Sequence, residues 1–150
     1  MKVVHHRIKT ELDILLLALY VVGFAIVGRV LYFCSADERW FCLGILSSIV
    51  VLLVPVGAFV FGSVTRDYLR AFFAGALSYA SLVTVIVIVS GLNRFQGGSS
   101  YLYQFVGYHA ALVVLAGLIG LCAARRTVSF YLTGIALCIA WLWLFFTGIS

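Results

Sequence analysis

Five long apolar runs, separated by connections of only three to eight residues, limit what this chain can fold into. Each run is about as long as an α-helix that crosses a hydrocarbon core of about 30 Å. A bilayer offers no water to backbone groups, so each segment must satisfy its own hydrogen bonds, as a helix does. The sequence therefore predicts one domain over residues 1–150, an all-α integral membrane protein built as a compact bundle of five transmembrane helices with short loops. The predicted spans are residues 14–33, 40–62, 70–92, 101–124 and 128–149.

Composition narrows the function classes. Hydrophobic residues make up 65% of the chain and charged residues only 10%, whereas soluble domains contain about 25% charged residues. The short connections leave no room for a soluble catalytic domain. The sequence contains no nucleophile elbow, no His-Glu-x-x-His motif and no complete set of metal ligands at fixed spacing. An enzyme is therefore the least supported class, and neither a metal nor a cofactor is predicted.

The basic residues are unevenly divided between the two ends of the predicted spans. Seven lie on the side that holds the N-terminus and three on the other side. An excess of Lys and Arg in short loops is typical of the cytoplasmic side, so we expect the N-terminus in the cytoplasm and the C-terminus outside. Topology and contacts with phospholipid headgroups account for the net charge of +5, and no nucleic acid partner is predicted. The seven residues are Lys2, Arg7, Lys9, Arg66, Arg70, Arg125 and Arg126.

His109 is the only histidine or acidic residue inside a predicted span. An ionisable group within a membrane is a functional candidate by default. On a helical wheel it falls on the same side as Ala116 and Gly120, so we expect it to face protein. Three roles stay open, namely a hydrogen-bonded structural histidine, proton or substrate handling, and haem ligation. The structural role is favoured, and haem is the least favoured because no second histidine lies in another span.

Arg29, Ser78 and Ser81 are the other candidate functional residues with polar side chains in the spans. Arg29 lies close to the end of its run, where its long side chain can reach the interface. We expect it to make a structural ion contact with Asp37 or Glu38. The two serines lie on a stripe of small residues in the third run, so they are candidates for a polar pathway.

Cys34 and Cys42 flank the turn between the first and second spans. The two helix ends must approach each other there, which makes a disulfide geometrically plausible if that side is oxidising. A structural bridge is favoured over redox catalysis because no Cys-x-x-Cys motif is present.

Small residues mark the faces on which the helices are expected to touch. Small side chains let helix backbones approach closely, which promotes association where lipid removes the hydrophobic effect. The fourth span carries the clearest set, Ala116, Gly117, Gly120 and Ala124. Their spacing does not indicate whether the neighbouring helix belongs to this chain or to another.

Two function classes follow from these patterns. The first is a non-catalytic structural or accessory subunit of a larger membrane complex, favoured by the short loops and the scarcity of reactive groups. The second is a small homo-oligomeric transporter or channel in which His109 handles protons or substrate. The expected partners are the lipid bilayer and either other membrane subunits or further copies of this chain.

Overall fold

The structure, a computed structural model, consists of α-helices joined by short turns in the part of the chain that it describes. It describes the backbone of residues 2–36, 40–90 and 99–147 and, apart from residues 13, 50 and 51, the side chains of residues 11–30, 49–88 and 103–147. No strand occurs among the described residues, so the predicted all-α class is confirmed. The helices are α1 Lys2–Ala36, α2 Trp40–Thr65, α3 Tyr68–Ser90, α4 Ser99–Ala124 and α5 Val128–Thr147.

The helices follow the predicted apolar runs closely, with one clear exception at the N-terminus. Helix α1 begins at Lys2, whereas the predicted span begins at residue 14. The difference arises because hydropathy marks only the part of a helix that suits lipid. Lys, Arg and Glu are good helix formers, so the polar residues that precede the apolar run continue the same helix.

Three helices are long and apolar enough to cross a membrane by length and composition. These candidate spans are Tyr68–Ile88, Tyr103–Ala124 and Val128–Thr147, with 21, 22 and 20 residues. Helices α1 and α2 contain the shorter apolar segments Ile14–Val30 and Leu52–Thr65 among the described residues. The structure thus supports a membrane protein with three candidate spans, and five crossings are part of the proposal made below.

Helices α2, α3 and α4 form the centre of the bundle. The most extensive contact joins α3 to α4, followed by those of α1 with α3 and of α2 with α4. Helix α1 also touches α2, while α5 rests mainly on α4 and to a smaller extent on α2. The two outer helices therefore flank a central group of three.

Two short turns connect the central helices to their neighbours. The turn between α2 and α3 contains Asp67, whose Oδ1 accepts hydrogen bonds from the backbone N–H groups of Leu69 at 3.1 Å and Arg70 at 3.2 Å. Such a side chain caps the start of a helix. Arg66 and Arg126 have left-handed φ angles of 59° and 51°. Arg66 is the first residue after α2, and Arg126 is the second residue after α4. A left-handed residue commonly ends a helix.

Glycines bring the backbones of α2, α3 and α4 into direct contact. A Cβ atom on Gly75 would overlap the carbonyl oxygen of Ala116, and one on Gly120 would overlap the carbonyl oxygen of Ala71. Likewise, a Cβ atom on Gly62 would overlap the carbonyl oxygen of Gly120. The three central helices consequently meet through main-chain atoms at three places.

The small residues singled out in α4 lie at this contact. Ala116 is fully buried, Ala124 is 5% exposed, and Gly117 is covered by the ring of Phe72. The neighbouring helices are α2 and α3 of this same chain. The spacing of small residues alone could not make that distinction.

Candidate functional site

The candidate site is centred on a hydrogen bond between His109 of α4 and Tyr79 of α3. The Tyr79 hydroxyl and His109 Nδ1 are 2.9 Å apart. The hydroxyl donates when Nδ1 carries no proton, and the tautomer decides this role. Tyr79 is only 1% exposed, whereas His109 is half-buried. The pair joins two of the central helices at their most extensive contact.

Aromatic rings surround this pair on the α4 side. The ring of Phe105 meets the imidazole edge-on with centroids 4.2 Å apart, and the ring of Tyr108 lies 5.1 Å from it. Edge-to-face geometry is favourable for such rings. We call His109, Tyr79, Phe105, Tyr108 and Trp141 the His109 cluster.

Trp141 brings α5 into the cluster. Its ring stands at 85° to that of Tyr79 with centroids 5.4 Å apart, and its indole Nε1 donates a hydrogen bond of 3.0 Å to the carbonyl of Leu112. The Tyr108 hydroxyl donates in the opposite direction, to the α5 carbonyl of Leu144 at 3.0 Å. The Tyr108 hydroxyl also lies 3.1 Å from the carbonyl oxygen of Phe145, so a side chain from each helix donates across the contact between α4 and α5.

The His109 cluster lies within the candidate spans of α3 and α4. Along the helix axis, His109 is about 9 Å from Tyr103 and about 22 Å from Ala124, the two ends of the α4 span. Tyr79 is about 17 Å from Tyr68 and about 14 Å from Ile88, the two ends of the α3 span. Polar groups at such a depth find no partner in lipid, so their hydrogen bonds to each other and to carbonyls stabilise the bundle.

The serines lie elsewhere on α3 and bond to backbone carbonyls. Ser78 is fully buried and donates to the carbonyl of Ala74 in its own helix. Ser81 donates to the carbonyl of Val21 at 3.2 Å, which ties α3 to α1, and also to the carbonyl of Ser78 at 2.9 Å. Of the two hydroxyls, that of Ser81 thus joins α3 to another helix, whereas that of Ser78 bonds within α3. Arg29 is exposed on α1, and its expected partners, Asp37 and Glu38, lie outside the described residues.

The remaining sequence predictions concern cysteines and cofactors. The side chains of Cys34 and Cys42 lie outside the described ones, so their disulfide stays a prediction. Within the described part of the chain, no group of three or more His, Cys, Asp or Glu side chains is placed to hold a metal ion. Haem ligation by His109 would have to use Nε2, because Nδ1 is bonded to Tyr79.

Sequence reasoning missed the partners of His109. It selected neither Tyr108 nor Trp141, although the structure buries Trp141 completely. The overlooked signal was Tyr79, a tyrosine in the middle of an apolar run. Its hydroxyl needs a hydrogen-bond partner at that depth, and His109 is the ionisable group in the predicted spans at a similar depth.

Comparison with known proteins gives this site no precedent: no family model, curated protein or solved structure matches the chain. Any assignment of function therefore rests on the residues and their geometry.

Proposed function

We propose that this protein is a five-span membrane protein that serves as a non-catalytic structural or accessory subunit of a larger membrane complex. One observation carries the proposal. Among the described residues, no buried side-chain nitrogen or oxygen lacks a hydrogen-bond partner. The polar groups within the bundle hold helices together, as the bonds of Tyr79, Ser81, Tyr108 and Trp141 illustrate. Interactions with other molecules are then expected at the outer surface of the bundle.

Five crossings are supported by the way α1 and α2 lie beside the longer spans. With 35 and 26 residues, these helices exceed the about 20 residues that cross a bilayer. The Tyr20 hydroxyl of α1 donates to the carbonyl of Leu53 in α2 at 3.2 Å, and Gly28 of α1 approaches the carbonyl of Leu82 in α3. With the uneven charge distribution, five crossings give a cytoplasmic N-terminus and an outer C-terminus.

The outer surface supports a role in a larger assembly. Helix α5 is the least covered of the three candidate spans, with 11% of its apolar window buried against 39% for α3. Its exposed side chains include Leu132, Ile139, Trp143 and Phe146. A helix with so much apolar surface on the outside of the bundle is suited to contact lipid or helices of another chain.

Native electrophoresis and mass measurement in mild detergent test the proposal. The protein is purified from its native membrane through a small tag, and the chains that accompany it are identified. We expect stoichiometric partner chains of different sequence. A preparation that contains only this chain, as a monomer or a homo-oligomer, contradicts the subunit role. Labelling of single cysteines placed at positions 2 and 150 tests the topology, since the outside reagent should reach position 150 only.

The second candidate is a homo-oligomeric transporter or channel, and the hydrogen bond between Tyr79 and His109 is the observation that favours it. Imidazole and phenol can each give and accept a proton, and intramembrane histidines occur in proton relays. Under this reading His109→Gln abolishes proton flux in liposomes, because Gln does not titrate at physiological pH. Tyr79→Phe is the companion variant, since it removes the partner and keeps the imidazole. Equal flux from the original protein, from both variants and from empty liposomes contradicts this candidate.

A further inference from the structure

Two turns at one end of the bundle are locked together by arginine side chains. In the turn between α4 and α5, Arg126 donates from Nε at 3.0 Å and from Nη2 to the carbonyl of Ser63 near the end of α2. The guanidinium of the adjacent Arg125 lies 4.5 Å from the ring centre of Phe130 and 5.8 Å from that of Tyr68 at the start of α3. The turn between α4 and α5 therefore contacts both the end of α2 and the start of α3, the two helices that flank the other turn.

This arrangement concentrates positive charge. Four arginines, at positions 66, 70, 125 and 126, lie in the segments 66–70 and 125–127, which contain a single acid, Asp67. Asp67 already caps α3 with Oδ1, and its Oδ2 forms an ion pair of 3.1 Å with Arg70. The carbonyl of Ser63 that holds Arg126 is neutral. With four arginines and one acid, the two segments carry a net charge of +3.

The guanidinium groups are suited to bind phosphate. A guanidinium that lies over an aromatic ring can still point its N–H groups outward in its own plane. Two of these N–H groups can then donate together to the oxygens of one phosphate. The guanidinium of Arg125 lies over the ring of Phe130, and the arginines at 66, 125 and 126 are all exposed. Exposed donors and an excess of three charges favour an anionic phosphate over a zwitterionic headgroup, whose choline would meet the same positive field.

The position of the turns relative to the candidate spans indicates which molecule supplies the phosphate. They lie where the candidate spans Tyr68–Ile88 and Val128–Thr147 begin and where Tyr103–Ala124 ends. This is headgroup level, and Tyr68 and Phe130 are aromatic residues of the kind enriched there. We propose that Arg66, Arg125 and Arg126 form a binding site for the headgroup phosphate of an anionic phospholipid. The site requires that α3, α4 and α5 lie in a bilayer, and it is independent of both the subunit and the transporter roles.

Native mass spectrometry of the full chain in detergent tests this site. The protein is offered equal amounts of phosphatidylglycerol and phosphatidylcholine with identical acyl chains, and the bound adducts are compared. We expect phosphatidylglycerol to dominate. Each arginine near the surface contributes about 1 kcal/mol, equivalent to about fivefold in affinity. Arg66→Asn should lower the preference about fivefold, and the double variant with Arg125→Gln about 25-fold.

The variants are chosen so that the fold survives. Asn tolerates the left-handed φ of position 66 better than other residues except Gly, and Arg126 is left in place because it holds Ser63. Arg29→Gln, which removes one charge on α1 away from both turns, is the matched control and should keep the preference. Arg125→Lys keeps the charge without the planar fork and should retain part of it. Circular dichroism confirms helical content for each variant.

Three results would overturn the site. The first is equal binding of the two lipids by the unaltered protein, because the site predicts a preference for phosphatidylglycerol. An equal loss in Arg29→Gln shows that net charge alone attracts the lipid. Displacement of phosphatidylglycerol by millimolar inorganic phosphate identifies a site for free phosphate. The subunit proposal is tested by partner chains, so its failure and the failure of this site give different results.

Discussion

Replacing Gly120 by alanine tests the direct backbone contact at the centre of the bundle. The added Cβ would overlap the carbonyl oxygen of Ala71 and lie 2.9 Å from its carbonyl carbon and 3.3 Å from the carbonyl oxygen of Ala58. These are main-chain atoms of two helices, so no side-chain rotation relieves the overlap. Overpacking of this kind costs about 1–3 kcal/mol.

Gly107→Ala is the matched control on the same helix. A Cβ there meets nothing within 4 Å, so the substitution should add only the helix-forming advantage of alanine, about 0.5–1 kcal/mol. Both variants share this advantage, so the difference between them isolates the contact. We expect Gly120→Ala to unfold at a lower temperature than Gly107→Ala by about 2–12 °C, at about 2–4 °C per kcal/mol.

The assay is thermal loss of the helical circular dichroism signal, recorded on the full chain in one mild detergent. Native mass should be recorded before heating, so that a change of oligomeric state is not counted as a change of stability. If Gly120→Ala melts together with Gly107→Ala, the backbones of α3 and α4 do not touch at Gly120.

Three further predictions use the same preparations. Tyr79→Phe should lower the free energy of unfolding by about 0.6–1.7 kcal/mol, the range of hydrogen bonds between membrane helices. Tyr103→Phe, at an exposed side chain, is the control and should leave the melting temperature unchanged. Equal melting temperatures of the two variants contradict the hydrogen bond to His109. Trp141→Phe should weaken attachment of α5 by a similar free energy because the Leu112 carbonyl loses its indole donor, and protease nicking of the turn between α4 and α5 should then become faster. If Cys34 and Cys42 are bridged, reductant should raise the intact mass of the unlabelled protein by about 2 Da and should allow two more cysteines to be alkylated, and identical alkylation with and without reductant refutes the bridge.

The helices were predictable because a run of about 20 apolar residues has few folded forms in a bilayer. Which helices pack against each other was not predictable. Each run is apolar on every side, so hydropathy offers no face that selects α3 over α5 as the partner of α4. Helix α1 shows a related limit, since its polar first turns are helical without being apolar.

The site was only half predictable for a similar reason. His109 stood out because it is the only histidine in the spans, but its partner depends on which helices meet and at what height. Tyr79 lies 30 residues away along the chain, and tyrosines are common at both membrane interfaces. The small residues of α4 were recognisable, whereas Gly62 and Gly75 were not selected, because single glycines are frequent in membrane helices.

The backbone contacts among α2, α3 and α4 also decide which parts of the molecule can move. If α4 slid along α3 by one turn, about 5.4 Å, Ala116 or Ala124 would arrive where Gly120 lies, and either methyl group would strike the Ala71 carbonyl. The three central helices therefore cannot slide past one another by one turn without such a clash. Helix α5 is attached differently, through the rings of the His109 cluster and through Phe59 beside Gly134. Side chains can change rotamer where main chains cannot, so the contact between α4 and α5 tolerates a small change of geometry better than the backbone contacts among α2, α3 and α4.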